Sequence, residues 1–366
     1  MKLDNRDYSR DELLRRLGNR SQIGGTRHYI LAEGRAKGVA AADFDTGAGL
    51  RFTVLPDRGL DITLASYKGT NLVYLTPLGE SHPAFYEPQG MGWLQTFCGG
   101  LLTTCGLTYF AAPGRDGDQE LGLHGRYSAS PARSVCDLSD WDGDEYRLVM
   151  RGVVDEGTLF GDKVQLTRTI STQIGSRVIH IDDVAENMGH QPTPFTLLYH
   201  VNLGFPLLDE SAELVLAAEA TEPYDSRSAA AMGEMLRFSE PVPGCLEQNF
   251  LHRMAADRSG LAAAAIINRE LAGGLGVYLR FPVAAFPYLN EWKMMGERDY
   301  VVAIEPSNAP LNNRAVLRRE GTLPMLQPGE RRAMNVEIGV LDGAAEIDQF
   351  CQMVKEIAHV GSNQPT

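Results

Sequence analysis

The chain has 366 residues, of which 43% are hydrophobic and 22% charged. That balance excludes disorder, which needs low hydrophobicity and high charge. A formal net charge of −13, from 47 acidic against 34 basic residues, gives an averaged field that repels phosphate backbones, so no nucleic-acid partner is expected.

The N-terminal segment alternates charge and lacks the apolar stretch of a signal peptide, which predicts a cytoplasmic protein. Ser9 and Glu12 have capping-box spacing and predict a short helix from Ser9 to Leu17. Between residues 28 and 340 the recurring unit is a run of five to ten Val, Ile, Leu, Thr, Tyr and Phe residues bounded by Gly, Asp, Asn or Pro, which is the pattern of sheet. Strands are predicted at Leu50 to Leu55, Asp61 to Ser66, Tyr146 to Val154, Lys163 to Gln173, Arg177 to Asn187, Phe195 to Gly204, Gly276 to Phe281 and Tyr300 to Ile304. In the Lys163 to Gln173 run, Val164, Leu166, Ile170 and Thr172 share one face with Arg168, a charged exception on an inner side. Residues 88–114 carry no charge, but Gln89, Gln95, four threonines and six glycines argue against a membrane span and for buried, glycine-rich sheet.

Near the C-terminus, Ile347, Phe350, Cys351, Val354 and Ile357 follow helical spacing over 344–360. The expected organisation is a single domain over 1–366: a helical extension at 1–24, a β-sandwich at 25–343, and a helix and tail at 344–366. More than a dozen strands without crossover helices predict a large antiparallel sandwich, mainly β. Five cysteines without a C-x-x-C pair suggest reduced thiols rather than a disulfide framework or zinc site. Phosphate-loop, dinucleotide, serine-elbow and zincin signatures are absent.

Three segments carry candidate chemistry: LGLHGR at 121–126, LYHVNLGFP at 198–206 and VVAIEPSN at 301–308. Each sets one ionisable group, His124, His200 or Glu305, beside an apolar run. A strand histidine is often just a satisfied core group. Glu305 is less ordinary, because a carboxylate after four apolar residues needs a partner, water or a proton if buried. Pro306 is expected to end the strand there.

These segments resemble those of the aldose 1-epimerases, or galactose mutarotases. The resemblance implies a galactose mutarotase-like antiparallel sandwich that interconverts sugar anomers without a cofactor or metal. It implies that His200 is the general acid, Glu305 the general base and His124 a substrate-binding histidine. Tyr199 stands where that family usually has asparagine. LPDRGLDI at 55–62, GGLLTTCGL at 99–107 and EWKMMG at 291–296 look more like a less characterised bacterial branch.

Other residues have two readings each. Asp57 and Arg58 form either a turn with an ion pair or a clamp on sugar hydroxyls. Arg126, two residues after His124, is expected on the same strand face, binding a substrate oxygen or neutralising Glu305. Trp292 and Lys293 supply a stacking floor with a nearby cation, or an interface ring and a solvated lysine. Arg314 senses an acidic substituent or is a surface arginine, and His82 is a further loop candidate. The leading expectation is an aldose 1-epimerase acting on a small-molecule sugar, against a noncatalytic carbohydrate-binding protein or an isomerase of a modified sugar.

Overall fold

The computed structural model describes residues 1–3 and 6–361. It is a mainly β, antiparallel sandwich. The largest sheet has nine strands and runs, from one edge, through Glu145–Gly157, Lys163–Gln173, Val178–Asn187, Arg331–Asp342, Leu275–Pro282 and Leu261–Asn268. A six-stranded sheet faces it, in the order Ala218–Pro223, Gln248–Met254, Tyr288–Met295, Tyr300–Ser307, Thr196–Gly204 and Thr103–Leu107. A five-stranded sheet built from Gly25–Ile30 to Thr70–Asn71 completes the architecture.

Alternation explains the layers. Leu148, Met150, Leu166, Ile170, Ile179 and Ile181 of the large sheet share one buried cluster with Tyr199, Val201, Val302 and Ile304 of the six-stranded sheet. Those residues occupy every second position of their strands, so one face of each sheet is buried by the other. At about 25 cal/mol per Å² of apolar surface removed from water, this interface is the main stabilising term.

Arg168 lies in that interface, fully buried. Its guanidinium bonds both oxygens of Asp183, Asp61 Oδ1 at 3.0 Å, Thr104 Oγ1 at 2.9 Å and the Gly59 carbonyl. The Tyr127 and Tyr199 rings flank it, and Tyr199 Oη donates to Asp183 Oδ2 at 2.5 Å. The charged exception in an apolar strand is therefore the hub of a buried network. That network holds the strand carrying His200 from behind.

The predicted helix at the N-terminus runs over Arg10–Leu14, with the Ser9 and Glu12 capping box formed in both directions. The C-terminal helix, Ala344–Gly361, lays Ile347, Phe350, Val354 and Ile357 on Ala263, Ala265 and Ile267, on the outer face of the large sheet. The expected tail at 362–366 lies outside the described residues.

Two readings are corrected. Residues 88–114 form loops, a short 3-10 helix at Gly92–Gln95 and a short strand at Thr103–Leu107 rather than continuous sheet, because their glycines adopt left-handed turns such as Gly99 (φ +75°) and Gly100 (φ +85°). The last strand of the six-stranded sheet continues through Pro306 to Ser307, with Leu289 opposite the proline, so Glu305 lies within a strand and not at its exit. No helix of the described residues is long and apolar enough to cross a membrane.

Candidate functional site

The outer face of the six-stranded sheet brings His200 and Glu305 together. Leu198 pairs with Ser307 and Val201 with Ile304, a register that sets His200 opposite Glu305 on neighbouring strands. Both side chains point away from the core packed behind Tyr199 and Ile304. His200 Nε2 lies 3.0 Å from Glu305 Oε1. Despite that short separation the angles do not make a hydrogen bond: Glu305 Oε1 and His200 Nδ1 are both buried without a hydrogen-bond partner. The side chains are 6% and 3% exposed, so the pair sits under cover.

Aromatic rings supply that cover. The His200 ring centroid is 5.3 Å from Phe97, 5.5 Å from Trp292 and 5.8 Å from His124. Trp93 stacks on Phe97 at 4.5 Å and meets His124 at 4.8 Å. Trp93 Nε1 donates to the Ser128 hydroxyl at 3.1 Å, which fixes one wall. Trp292 Nε1 donates to Glu247 Oε2 at 2.8 Å, and its half-buried ring closes the opposite side.

His124 reaches the cluster from a turn, not a strand. Its φ is +56°, and Gly125 follows at +73°. A Cβ at Gly125 would stand 2.4 Å from the Tyr109 carbonyl oxygen and 2.6 Å from that of Gly106, so only glycine fits there. The histidine–glycine step is therefore a turn signal that aims the imidazole back over His200. His124 keeps part of its surface accessible but lies deep among packed groups. Desolvation, with repulsion from His200, pushes its pKa down to about 3. It is thus neutral near pH 7, able to donate from one nitrogen and accept at the other; Nδ1 is buried without a partner.

This depressed pKa has a measurable consequence. The unfolded histidine protonates near its ordinary 6.5 while the folded one stays neutral to about 3, so its contribution to stability falls as pH drops from 6.5 toward 3. Asp61, pushed up to about 6 by burial, changes stability in the opposite sense over part of that range. The difference between wild type and His124→Asn isolates the histidine. Urea midpoints at pH 7 and pH 4 are expected to fall further for wild type than for the variant; parallel falls would refute the assignment.

The structure does not bring the remaining candidates to this cluster. Arg58 is buried and donates to the Ser81 carbonyl at 2.8 Å and the Thr96 carbonyl at 3.0 Å. It pins the loop that presents Trp93 and Phe97, and forms no ion pair with Asp57, whose Oδ2 accepts from the Ala40 amide at 2.7 Å. His82 caps the Pro83–Phe85 turn by accepting from the Ala84 amide. Arg126 is not on a strand face shared with His124 and makes no ion pair with Glu305. It is exposed beside a cavity of about 200 Å³ lined also by Tyr86, Tyr109 and Gln119.

Arg314 is buried and committed to Asp116 Oδ2 at 2.7 Å, the Thr108 carbonyl and Gln119. Lys293 alternates to the opposite face from Trp292. Its ammonium donates to the Glu234 carbonyl at 2.8 Å and the Arg237 carbonyl at 2.5 Å, beside the buried Glu291 and His252 pair. Burial pulls its pKa down, against the attraction of Glu291. Lys293→Met is accordingly expected to lower stability by about 1–3 kcal/mol, as the loss of buried hydrogen bonds to a charge does, and to leave sugar affinity unchanged. Thermal unfolding and ligand titration on the same variant check both halves.

Trp93, Phe97, Asn249 and Asn290 belong to this face and were not singled out by sequence. Aromatic residues in the charge-free stretch were the available signal for the first two. Asn249 pairs with Trp292, and Asn290 with Glu305, across neighbouring strands. Both asparagines line a cleft of about 490 Å³ with Glu222, Tyr224, Leu251 and Leu311. Its size is in the range of small-ligand sites. Among the described residues no group of three or more His, Cys, Asp or Glu is placed to hold a metal ion.

Three solved structures share the fold. A Klebsiella pneumoniae protein provisionally named aldose 1-epimerase superposes with a TM-score of 0.86 at 23% identity, covering 92% of each chain. A galactose mutarotase-like protein from Clostridium acetobutylicum gives 0.60 at 14% identity, over 88% of this chain and 100% of its own. A galactose 1-epimerase from Lactobacillus acidophilus gives 0.55 at 13%, over 88% and 100%. These likenesses show a galactose mutarotase-like β-sandwich: the strand pattern predicts the antiparallel sandwich, and the motif resemblance implies its kind. No curated protein matches the chain. The model of a domain of unknown function, DUF4432, matches residues 36–340, a span that includes the facing sheets and all three members of the His124, His200 and Glu305 cluster, and the chain belongs to that family.

Proposed function

We propose that the protein is a cofactor-independent aldose 1-epimerase in which Glu305 and His200 exchange protons with the anomeric hydroxyl and the ring oxygen of a free sugar. The observation that carries this reading is their placement: a carboxylate and an imidazole 3.0 Å apart on one sheet face, with unpaired polar atoms, under aromatic rings. A hemiacetal carbon bears both of the oxygens that must trade protons, so an acid and a base side by side suit it. Buried polar atoms without partners each cost about 1–3 kcal/mol, and ligand hydroxyls would relieve that cost.

In the proposed reaction the Glu305 carboxylate takes the anomeric hydroxyl proton while the His200 imidazolium protonates the ring oxygen. The bond between the anomeric carbon and the ring oxygen breaks, and its electron pair stays on the oxygen. The former hydroxyl oxygen becomes an aldehyde carbonyl. Rotation about the first carbon–carbon bond presents the other carbonyl face, and closure returns both protons. Neutral His124 is suited to steady an oxygen without competing for the proton. Trp292 and Trp93 offer apolar faces to the ring's C–H groups.

Saturation-transfer NMR on a panel of free aldoses tests the reading. At least one sugar is expected to exchange anomers well above the buffer rate; a whole panel at the buffer rate would count against it. The 3% and 6% exposure of the pair favours one other reading, a sugar-binding protein without turnover. Tight binding with no anomer exchange, indifferent to Glu305→Gln, would select it.

A further inference from the structure

Asn290 has the features of a substrate contact and lies outside the segments that carry the candidate chemistry in the sequence. It is 2% exposed, yet its only side-chain hydrogen bond among the described residues is a long one, from Nδ2 to the Ser307 hydroxyl at 3.4 Å. That hydroxyl is itself committed to the Ala309 carbonyl at 2.8 Å. Among the described residues no group donates to Asn290 Oδ1, and that oxygen is not one of the fully buried unpaired atoms, so it is left to meet a donor from the cleft.

Its position gives the reason. Asn290 is the cross-strand partner of Glu305 on the same face, so their Cβ atoms stand about 5 Å apart. It also lines the cleft shared with Asn249, Leu251 and Tyr224, whose lining stops one strand short of Glu305. Asn249, directly opposite Trp292, makes no side-chain hydrogen bond among the described residues. A carboxamide offers two donors and an acceptor, which matches a hydroxyl that both gives and takes a hydrogen bond.

We infer that Asn290 is a specificity-determining residue that reads a sugar hydroxyl next to the anomeric centre, with the rest of the ring lying toward Asn249 in the cleft. The inference rests on the epimerase reading for where the sugar sits. With Glu305 at the anomeric hydroxyl, a residue one strand over reaches the hydroxyl on carbon 2 or carbon 3, and not the far side of the ring.

The test compares the best aldose of the panel with its 2-deoxy and 3-deoxy analogues, on wild type, Asn290→Ala and Asn290→Ser. Wild type is expected to bind one of the two deoxy analogues about tenfold more weakly than the parent sugar, as loss of one hydrogen bond implies. Both variants are expected to lose that discrimination, with KM for the parent raised about tenfold and kcat changed by less than about threefold, because the contact holds ground state and transition state alike. Circular dichroism melts confirm folding. Equal binding of parent and deoxy sugars by wild type overturns the inference, whether or not the variants fold. So does discrimination that survives in a folded variant. Titration calorimetry separates the two claims: binding that depends on Asn290 without anomer exchange sinks the epimerase and spares the contact, whereas exchange indifferent to Asn290 does the reverse. Absence of any binding sinks both.

Discussion

Replacing Glu305 by glutamine is expected to slow anomer exchange by about 100- to 10,000-fold, the range that one positioned acid or base supplies. The amide keeps the shape of the carboxylate and its place opposite His200, so the melting curve is expected to change little. An unchanged melt beside a lost rate would exclude loss of fold as the cause. His200→Asn is expected to produce a comparable loss. If the two groups act on one proton circuit, as proposed, the double variant is expected to be hardly slower than either single one. NMR exchange rates for the three variants on one sugar measure this directly. Losses that multiply would mean that the residues act separately and that the paired mechanism is wrong.

The second large effect lies behind the sheet. Arg168→Met leaves Asp183 and Asp61 buried without their shared cation, and removal of one partner from a buried ionic network costs about 3–5 kcal/mol. Tyr199 loses part of its reason to hold its hydroxyl against Asp183, and Tyr199 is the residue before His200. The variant is expected to unfold at markedly lower urea concentration. If it folds at low temperature, it is expected to epimerise more slowly with little change in sugar affinity. Replacing Arg168 and Asp183 together with apolar residues is expected to recover part of the stability, since one of the two stranded carboxylates is then removed as well. Urea melts of the single and double variants decide; a single variant as stable as wild type would show that the network contributes little.

The sandwich was legible because its strands alternate. Val164, Leu166 and Ile170 announce one buried face, whereas the strands of His200 and Glu305 are buried on both sides, so only the structure shows that Val201 and Ile304 face inward and the two ionisable groups outward. His124 was legible as a residue but not as a conformation: two apolar neighbours suggest a strand, whereas the glycine that follows demands a turn. The charged candidates failed for another reason. Arg314 finds Asp116, 198 residues earlier in the chain, and Lys293 finds backbone carbonyls near 234 and 237; no local pattern records such partners. The aromatic walls were hidden because absence of charge over 88–114 says that a stretch is buried, and not what it is buried against. Tyr199, a departure from the pattern of related sequences, makes sense only once Arg168 and Asp183 are seen beneath it.

The geometry of His200 and Glu305 has a corollary for binding. Their 3.0 Å separation comes without a hydrogen bond, so each group keeps its capacity for a partner. A ligand that engages both has no bond between them to break first. An occupant carrying two oxygens on one carbon would therefore meet two waiting atoms and not a closed pair.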